Sequence, residues 1–257
     1  MPVPVYSEKQ MMHELGMTRS KVQGGHALIT PDTFVRQQLP GWSKTQCIVH
    51  TGPVLGARFS QYSAEMEKGG KAEPAREDTQ RFVLVLEGRI SVKVARTKQE
   101  IGKRGYVYLP AGSETGLEAL TSSRLAVIEK PYQPLPGVRP PRALWGYEPK
   151  VPPTLLGGDP SLQVRMLLPD DLSFDLAVNT MTFAPGASLP MVEIHLMEHG
   201  LLMLDGGGIY RLGEDWYPVK AGDFIWMASY CPQWFGALGK EPSKYLLYKD
   251  MNRHPLI

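Results

Sequence analysis

The second half of the chain holds a short run of side chains that can bind a metal ion. Glu193, His195, Glu198 and His199 follow one another within seven residues. Imidazole and carboxylate groups at this density are typical of metal centres and of general acid/base chemistry. Two arrangements of the run are possible, and they imply different enzymes.

On a helix, His195 and His199 with Glu198 match the H-x-x-E-H pattern of a zinc metalloprotease. On a strand, Glu193 and His195 share one face of a sheet, and His199 reaches the same place from the start of the next strand. Proline at 185 and 190 and glycine at 200 and 206–208 bracket the run too closely for several helical turns. We therefore favour the strand, which needs a further ligand from a neighbouring strand, and Gln233 is the candidate.

The rest of the chain predicts the strands that such a site needs. The 26 glycines and 23 prolines separate short segments rich in Val, Leu, Ile, Tyr and Phe, such as 81–86, 90–94, 106–109 and 201–204. The predicted class is all-β. A helix is expected only near Ser7 to Leu15.

The chain also repeats itself at a spacing of about 118 residues. Aligning Arg81 with His199 also aligns Gly88 with Gly206 and places Ile90 near Ile209. Units of this length suit two small barrels whose antiparallel sheets close on themselves. The predicted organisation is an N-terminal barrel over 1–135, a proline-rich linker over 136–155 and a C-terminal barrel over 156–257.

The run and its surroundings resemble the paired motifs of the cupin superfamily, G-x5-H-x-H-x3,4-E-x6-G and G-x5-P-x-G-x2-H, with substitutions. In motif order the His, His, Glu, Pro, Gly and His positions hold Glu193, His195, His199, Ala228, Tyr230 and Gln233, so only His195 keeps the motif residue. This set, the two-barrel length and the C-terminal stretch 245–253 resemble the (S)-ureidoglycine aminohydrolase family of bicupins, some bacterial members of which are called glyoxylate-induced proteins. The resemblance implies two tandem cupin barrels, each a double-stranded β-helix or jelly roll.

The same resemblance implies the metal-dependent hydrolysis of (S)-ureidoglycine to (S)-ureidoglycolate and ammonia in purine (allantoin) catabolism. The implied metal ligands are Glu193, His195, His199 and Gln233. These hard donors, without a thiolate, suit Mn²⁺ first, with Fe²⁺, Ni²⁺ and Zn²⁺ as alternatives. Cupins also include small-molecule binding or sensing proteins and Fe(II) dioxygenases, which are the alternative functions.

Further residues of the site follow from the resemblance. Lys249 matches the lysine that binds the substrate carboxylate, and Tyr210 and Tyr245 match hydrogen-bond donors of the pocket. Glu193 doubles as a proton acceptor. In the first repeat the ligand positions hold Ala75, Glu77, Arg81 and either Thr115 or Gly116. No ligand set forms there, so the N-terminal barrel is expected to be metal-free.

Composition limits the partners. Lys and Arg number 28 against 26 Asp and Glu, for a formal charge of +2, so neither nucleic acid nor a membrane is an expected partner. Cys47 and Cys231 are the two cysteines, which favours a cytoplasmic protein without a disulfide framework. Cys231 is expected in the pocket wall, and the remaining histidines, at 13, 26, 50 and 254, are interpreted as structural. The expected assembly is a homo-oligomer that acts on a small ureido acid.

Overall fold

The computed structural model describes residues 17–94 and 97–253. These residues form 22 strands and four short 3-10 helices, over Pro31–Thr33, Pro53–Leu55, Glu148–Lys150 and Leu156–Gly158. The all-β class is confirmed. The helix expected near Ser7 to Leu15 lies outside the described residues. Within the described ranges, no helix has the length and apolar character needed to span a membrane.

The first two strands, β1 (Lys21–Gln23) and β2 (His26–Ile29), precede a sheet made by the next ten. The sheet strands are β3 (Arg36–Gln37), β4 (Trp42–Thr51), β5 (Ser60–Ala72), β6 (Thr79–Glu87), β7 (Arg89–Val94), β8 (Thr97–Gly102), β9 (Gly105–Leu109), β10 (Leu117–Ala119), β11 (Ser123–Pro131) and β12 (Leu144–Tyr147). Their order is β12-β9-β6-β11-β5-β10-β7-β8, with β4 paired to β5 and β3 to β4. This sheet curls into the N-terminal barrel.

The remaining strands build the C-terminal barrel. They are β13 (Thr154–Leu155), β14 (Leu162–Met166), β15 (Leu176–Phe183), β16 (Glu193–Ile194), β17 (His199–Asp205), β18 (Gly207–Leu212), β19 (Asp215–Lys220), β20 (Phe224–Met227), β21 (Pro232–Ala237) and β22 (Ser243–Asp250). One sheet has the order β1-β2-β20-β17-β22-β15-β14-β13, and the other has the order β16-β21-β18-β19. The candidate site lies where these two sheets face each other.

Three apolar cores hold the molecule together: one inside each barrel and one between the barrels. Strand β22 shows how a single strand serves two of them. Tyr245 and Leu247 pack inside the C-terminal barrel, whereas Leu246 and Tyr248 pack between the barrels. Since successive side chains point to opposite faces, a strand buried on both faces reads as a continuous apolar run.

The sheets cross the boundaries predicted from the sequence. Strand β2 pairs with β20 and completes the C-terminal sheet, although it precedes the whole N-terminal barrel in the chain. Leu28 packs inside the C-terminal barrel and Ala27 packs between the barrels. Without β2, the backbone groups along one side of β20 would form an open edge.

The predicted linker also contains structure. Strand β12 pairs with β9 at an edge of the N-terminal sheet, because the four residues 144–147 contain no proline. Glu148, directly after it, is buried and bonds Lys244 of the C-terminal barrel at 2.6 Å and Arg104 of the N-terminal barrel. The segment between the barrels therefore ties them together.

The two barrels use the same turn at equivalent places. Gly88, between β6 and β7, and Gly206, between β17 and β18, have φ values of 78° and 67°. An added Cβ would collide with the backbone before Ser123 in one barrel and before Ser243 in the other. Only glycine combines this left-handed conformation with such a close approach, which explains why both glycines stand out in the repeat.

Candidate metal centre and active site

A cavity of about 140 Å³ opens between the two sheets of the C-terminal barrel. The polar groups in its wall are Asn179, Glu193, His195, His199, Tyr210, Gln233, Tyr245 and Lys249. The apolar groups are Leu156, Val164, Met181, Leu189, Met197 and Leu247. All the site residues predicted from the sequence therefore meet at one cavity.

Short strands bring the four candidate ligands together. Glu193 lies directly opposite Gln233 in the antiparallel pair of β16 with β21, so both side chains share a face. Directly opposite residues have Cβ atoms about 5 Å apart. His195 follows β16, and His199 begins β17. Gln233 thus comes from a neighbouring strand, as the strand interpretation requires.

The helical alternative is wrong, since 193–199 contains the end of one strand, a bend and the start of another. Glu198 would be the base in that alternative, but its side chain faces away from the cavity. It accepts hydrogen bonds from the backbone N–H of Arg58 at 2.9 Å and from Trp226 Nε1 at 3.3 Å. Glu198 therefore belongs to the contact between the barrels.

His199 is held in the form that a metal ligand needs. Its Nδ1 lies 3.1 Å from the carbonyl oxygen of Met197, so Nδ1 carries the proton and Nε2 keeps its lone pair. Burial lowers the pKa of His199 to about 3, and the neighbouring charges of His195 and Lys249 act in the same direction. A neutral imidazole whose other nitrogen donates to a carbonyl is the usual arrangement of a metal-bound histidine.

Glu193 and His195 supply two more donor atoms. Glu193 Oε2 and His195 Nε2 lie 3.0 Å apart, and the His195 and His199 ring centroids lie 5.1 Å apart. Two ligands at right angles around an octahedral ion, each about 2.1 Å from it, are separated by about 3 Å. Among the described residues, no group of three His, Cys, Asp or Glu side chains is placed so that it could hold a metal ion as it stands. The Glu193 and His195 donor atoms have the separation of two adjacent ligands.

Two tyrosines and a lysine complete the polar wall. Tyr210 donates to Gln233 Oε1 at 3.1 Å, and Tyr245 donates to the sulfur of Met181 at 3.2 Å. Burial raises the pKa of both phenols, so both remain protonated donors. Lys249 lies opposite His199 in the pairing of β17 with β22 and brings a cation to the cavity.

The N-terminal barrel carries an ion pair at the equivalent place. Arg81, at the repeat position of His199, is buried and donates from Nε to Glu129 at 2.6 Å. Arg81 and Glu129 lie opposite each other on β6 and β11, as His199 and Lys249 do on β17 and β22. The guanidinium also lies over the Trp42 ring at 5.5 Å. An arginine–glutamate ion pair therefore stands at the two register positions that hold His199 and Lys249 in the C-terminal barrel.

Sequence reasoning missed Asn179 and misplaced Cys231. Asn179 lies on β15 in an otherwise apolar stretch and is 7% exposed, with its side chain in the cavity wall. A single amide side chain within an apolar run that predicts a buried strand could have indicated Asn179. Cys231, expected in the wall, packs against the core of the C-terminal barrel and is not among the lining residues.

The other histidines within the described residues lie away from the cavity. His26 bonds the hydroxyl of Tyr217 at 2.9 Å. His50 bonds Ser63 at 2.8 Å and stacks on Phe224. Both are buried between strands, where they act as packing residues. His13 and His254 lie outside the described residues.

Comparison with known proteins gives a consistent picture. Residues 179–248, which include the four candidate metal ligands, match the cupin domain family model. The chain is 39% identical to an (S)-ureidoglycine aminohydrolase of Arabidopsis thaliana over 254 residues, covering 98% of this chain and 85% of that protein. It is 32% identical to an (S)-ureidoglycine aminohydrolase of Escherichia coli, covering 90% of each.

A solved structure extends the similarity to the whole fold. The crystal structure of a protein from Pseudomonas aeruginosa, described as glyoxylate-induced, superposes with a TM-score of 0.85 at 31% identity and covers 92% of both chains. The prediction of two tandem cupin barrels is confirmed.

Proposed function

The chain belongs to the (S)-ureidoglycine aminohydrolase family, and on this premise we propose that it hydrolyses (S)-ureidoglycine to (S)-ureidoglycolate and ammonia in purine catabolism. The observation that carries the proposal is one cavity lined by a carboxylate, two imidazoles, an amide and a lysine. In this reaction the bond between the α-carbon and the amine breaks, and a bond from the same carbon to a water oxygen forms. The amine leaves as ammonia.

We propose that Glu193, His195, His199 and Gln233 hold one divalent metal ion. Mn²⁺ is the first choice because the donors are hard and include no thiolate, with Fe²⁺, Ni²⁺ and Zn²⁺ as alternatives. Such an ion, when bound, lowers the pKa of water and polarises substrate oxygens. Elemental analysis of the purified protein identifies it.

The chain's own residues orient the substrate and move protons. Lys249 binds the substrate carboxylate, since it brings a cation to the cavity wall. Glu193 accepts the proton of the attacking water, because its carboxylate lies in the cavity beside His195. The proton then passes to the departing amine.

Tyr210 and Tyr245 bind the substrate as hydrogen-bond donors. Their raised pKa values keep both hydroxyl protons in place at neutral pH. Because a phenol has a single proton, each hydroxyl turns from its present acceptor, Gln233 Oε1 or the Met181 sulfur, when it donates to the substrate.

Ammonia release from enzymatically generated ureidoglycine tests the function. The proposed hydrolase produces ammonia in proportion to the metal it contains. An Fe(II) dioxygenase would consume oxygen, and a binding or sensing protein would be stabilised by the ligand without forming a product. Either of those outcomes without ammonia overturns the proposal.

The expected assembly and location belong to the same proposal. We expect a homo-oligomer in the cytoplasm; its mass is measured by light scattering, and its location by fractionation. Cys47 and Cys231 are both free thiols, which suits a reducing compartment.

A further inference from the structure

Two polar side chains in the cavity wall have no hydrogen bond or ion pair to any residue that the structure describes: Lys249 and Asn179. The other polar groups are already engaged. Glu193 bonds His195, His199 bonds a carbonyl, Tyr210 bonds Gln233 and Tyr245 bonds a methionine sulfur. Only 7% of the Asn179 surface is exposed. Its amide atoms are not fully enclosed by protein and face the cavity, so its donor and acceptor are available to a polar ligand.

The position of Asn179 relative to Lys249 suits a small molecule with two polar ends. Asn179 lies opposite Leu247 in the pairing of β15 with β22, and Lys249 lies two residues further along on the same face. Diagonal neighbours of this kind are about 7 Å apart. The long Lys249 side chain and the shorter Asn179 side chain can therefore contact opposite ends of one compact molecule.

The two side chains suit different groups of the substrate. A carboxylate carries a charge and needs a cation, which Lys249 supplies. A ureido group is neutral and planar, with a carbonyl acceptor beside N–H donors. The carboxamide of Asn179 has the same donor and acceptor pattern, so the two planes can form a pair of hydrogen bonds.

We propose that Asn179 is the residue that recognises the ureido group and thereby selects ureido acids over other small carboxylates. This inference rests on the proposed function. A site built to hydrogen-bond a polar group discriminates strongly against analogues that lack it, because the protein group is then left buried and unpaired. Asn179 is thus a specificity residue, distinct from the groups proposed to hold the metal or move protons.

Calorimetric titration of the metal-loaded protein with two probes tests the inference. N-carbamoylglycine has the carboxylate and the ureido group but no leaving amine, whereas glycolate has the same carboxylate with a hydroxyl in place of the ureido group. In Asn179→Leu, the Kd for N-carbamoylglycine is expected to rise at least 10-fold and the Kd for glycolate to change less than about 3-fold. Equal changes for both probes, or no change, overturn the inference.

Two further variants make the result decisive. Leu247→Val alters the same wall without removing a polar group, so it should affect both probes alike. Asn179→Ala replaces the leucine variant if that protein does not fold, with the same split expected. Ammonia release is measured separately. Wild-type protein that binds N-carbamoylglycine through Asn179 but releases no ammonia would overturn the hydrolase proposal and leave the ureido site standing.

Discussion

The side chains proposed to bind the metal are oriented by their immediate neighbours. Met197 fixes the tautomer of His199, and burial keeps its imidazole neutral. Tyr210 orients the Gln233 amide, and Glu193 and His195 orient each other. At the scale of single residues, the site therefore depends on a few short hydrogen bonds, and point substitutions should separate metal binding from turnover.

Glu193→Gln separates these two roles. The amide keeps an oxygen donor, so part of the metal should remain bound, but it cannot accept a proton. We expect the rate of ammonia release to fall at least 100-fold, with metal content measured on the same sample. Glu241→Gln, at an exposed position, is the control. Unchanged turnover in Glu193→Gln would remove this residue from proton transfer.

Lys249→Met tests carboxylate binding. Loss of the cation should raise KM at least 10-fold, since charge-assisted hydrogen bonds to carboxylates contribute about 1.5–3 kcal/mol. Lys249→Arg should recover part of the loss because the charge is restored. If methionine and arginine raise KM equally in steady-state assays, the charge of Lys249 does not bind the substrate.

At the scale of elements, the C-terminal barrel depends on a strand from the start of the described chain. Strand β2 completes the eight-stranded sheet, and its Leu28 is fully buried in the barrel that holds the cavity. Local sequence cannot reveal such a pairing, because it is made across about 200 residues of chain. The strand β20 that receives β2 is also the neighbour of β17, which carries His199.

Leu28→Ala measures the contribution of β2. Removing a fully buried leucine side chain costs about 2–5 kcal/mol of unfolding free energy, and the metal site should weaken with the sheet. Denaturant unfolding and metal affinity are the measurements. Val22→Ala on the adjacent strand β1 is the control, since Val22 is 59% exposed, and it should change stability little. Equal stability of the two variants would contradict the structural role of β2.

At the scale of the whole molecule, Arg58 links the barrels behind the cavity. It belongs to the N-terminal half and bonds the buried carboxylates of Glu198 and Asp250. These residues directly precede His199 and follow Lys249 in the chain. Burial, together with the charge of Asp250, raises the pKa of Glu198. The N-terminal barrel therefore supports the site through charge as well as packing.

Arg58→Met leaves two buried carboxylates without this cation. Because arginine is itself partly exposed, we expect a loss of about 1–3 kcal/mol in stability, with a loss of metal affinity. The loss should shrink at acidic pH, where Glu198 becomes protonated. Thermal unfolding at pH 8 and pH 5 checks this. Arg76→Met, which removes an exposed ion pair with Asp78, is the control and should change neither property.

The contact between the barrels should also weaken in acid through His50. This residue packs between Phe34 and Phe224, and burial lowers its pKa from 6.5 to about 3. The unfolded chain binds a proton below pH 6.5 that the folded protein does not bind until about pH 3. Stability is therefore full above pH 6.5 and falls as pH decreases toward 3, by about 2 kcal/mol at pH 5.

His50→Gln removes this group while keeping a polar partner for Ser63. Denaturant unfolding from pH 7 to pH 5 should show a smaller loss of stability in the variant than in the wild type. An identical slope in both proteins would mean that His50 does not titrate on unfolding. Metal-free protein is used for both, so that His199, whose pKa burial also lowers to about 3, contributes equally to the two slopes.

The strand-rich class, the duplication and the spacing of the candidate ligands can be read from the amino-acid sequence. These are local properties: apolar runs between glycines and prolines, a repeated glycine turn, and donors two and four residues apart. The sequence could not establish that β2 completes the distant sheet, that Glu198 faces the other barrel while His199 faces the cavity, or that Asn179 lines the wall. These points depend on the folded chain, because the direction of a strand side chain matters only after its partner strands, in a particular register, have buried one face or both.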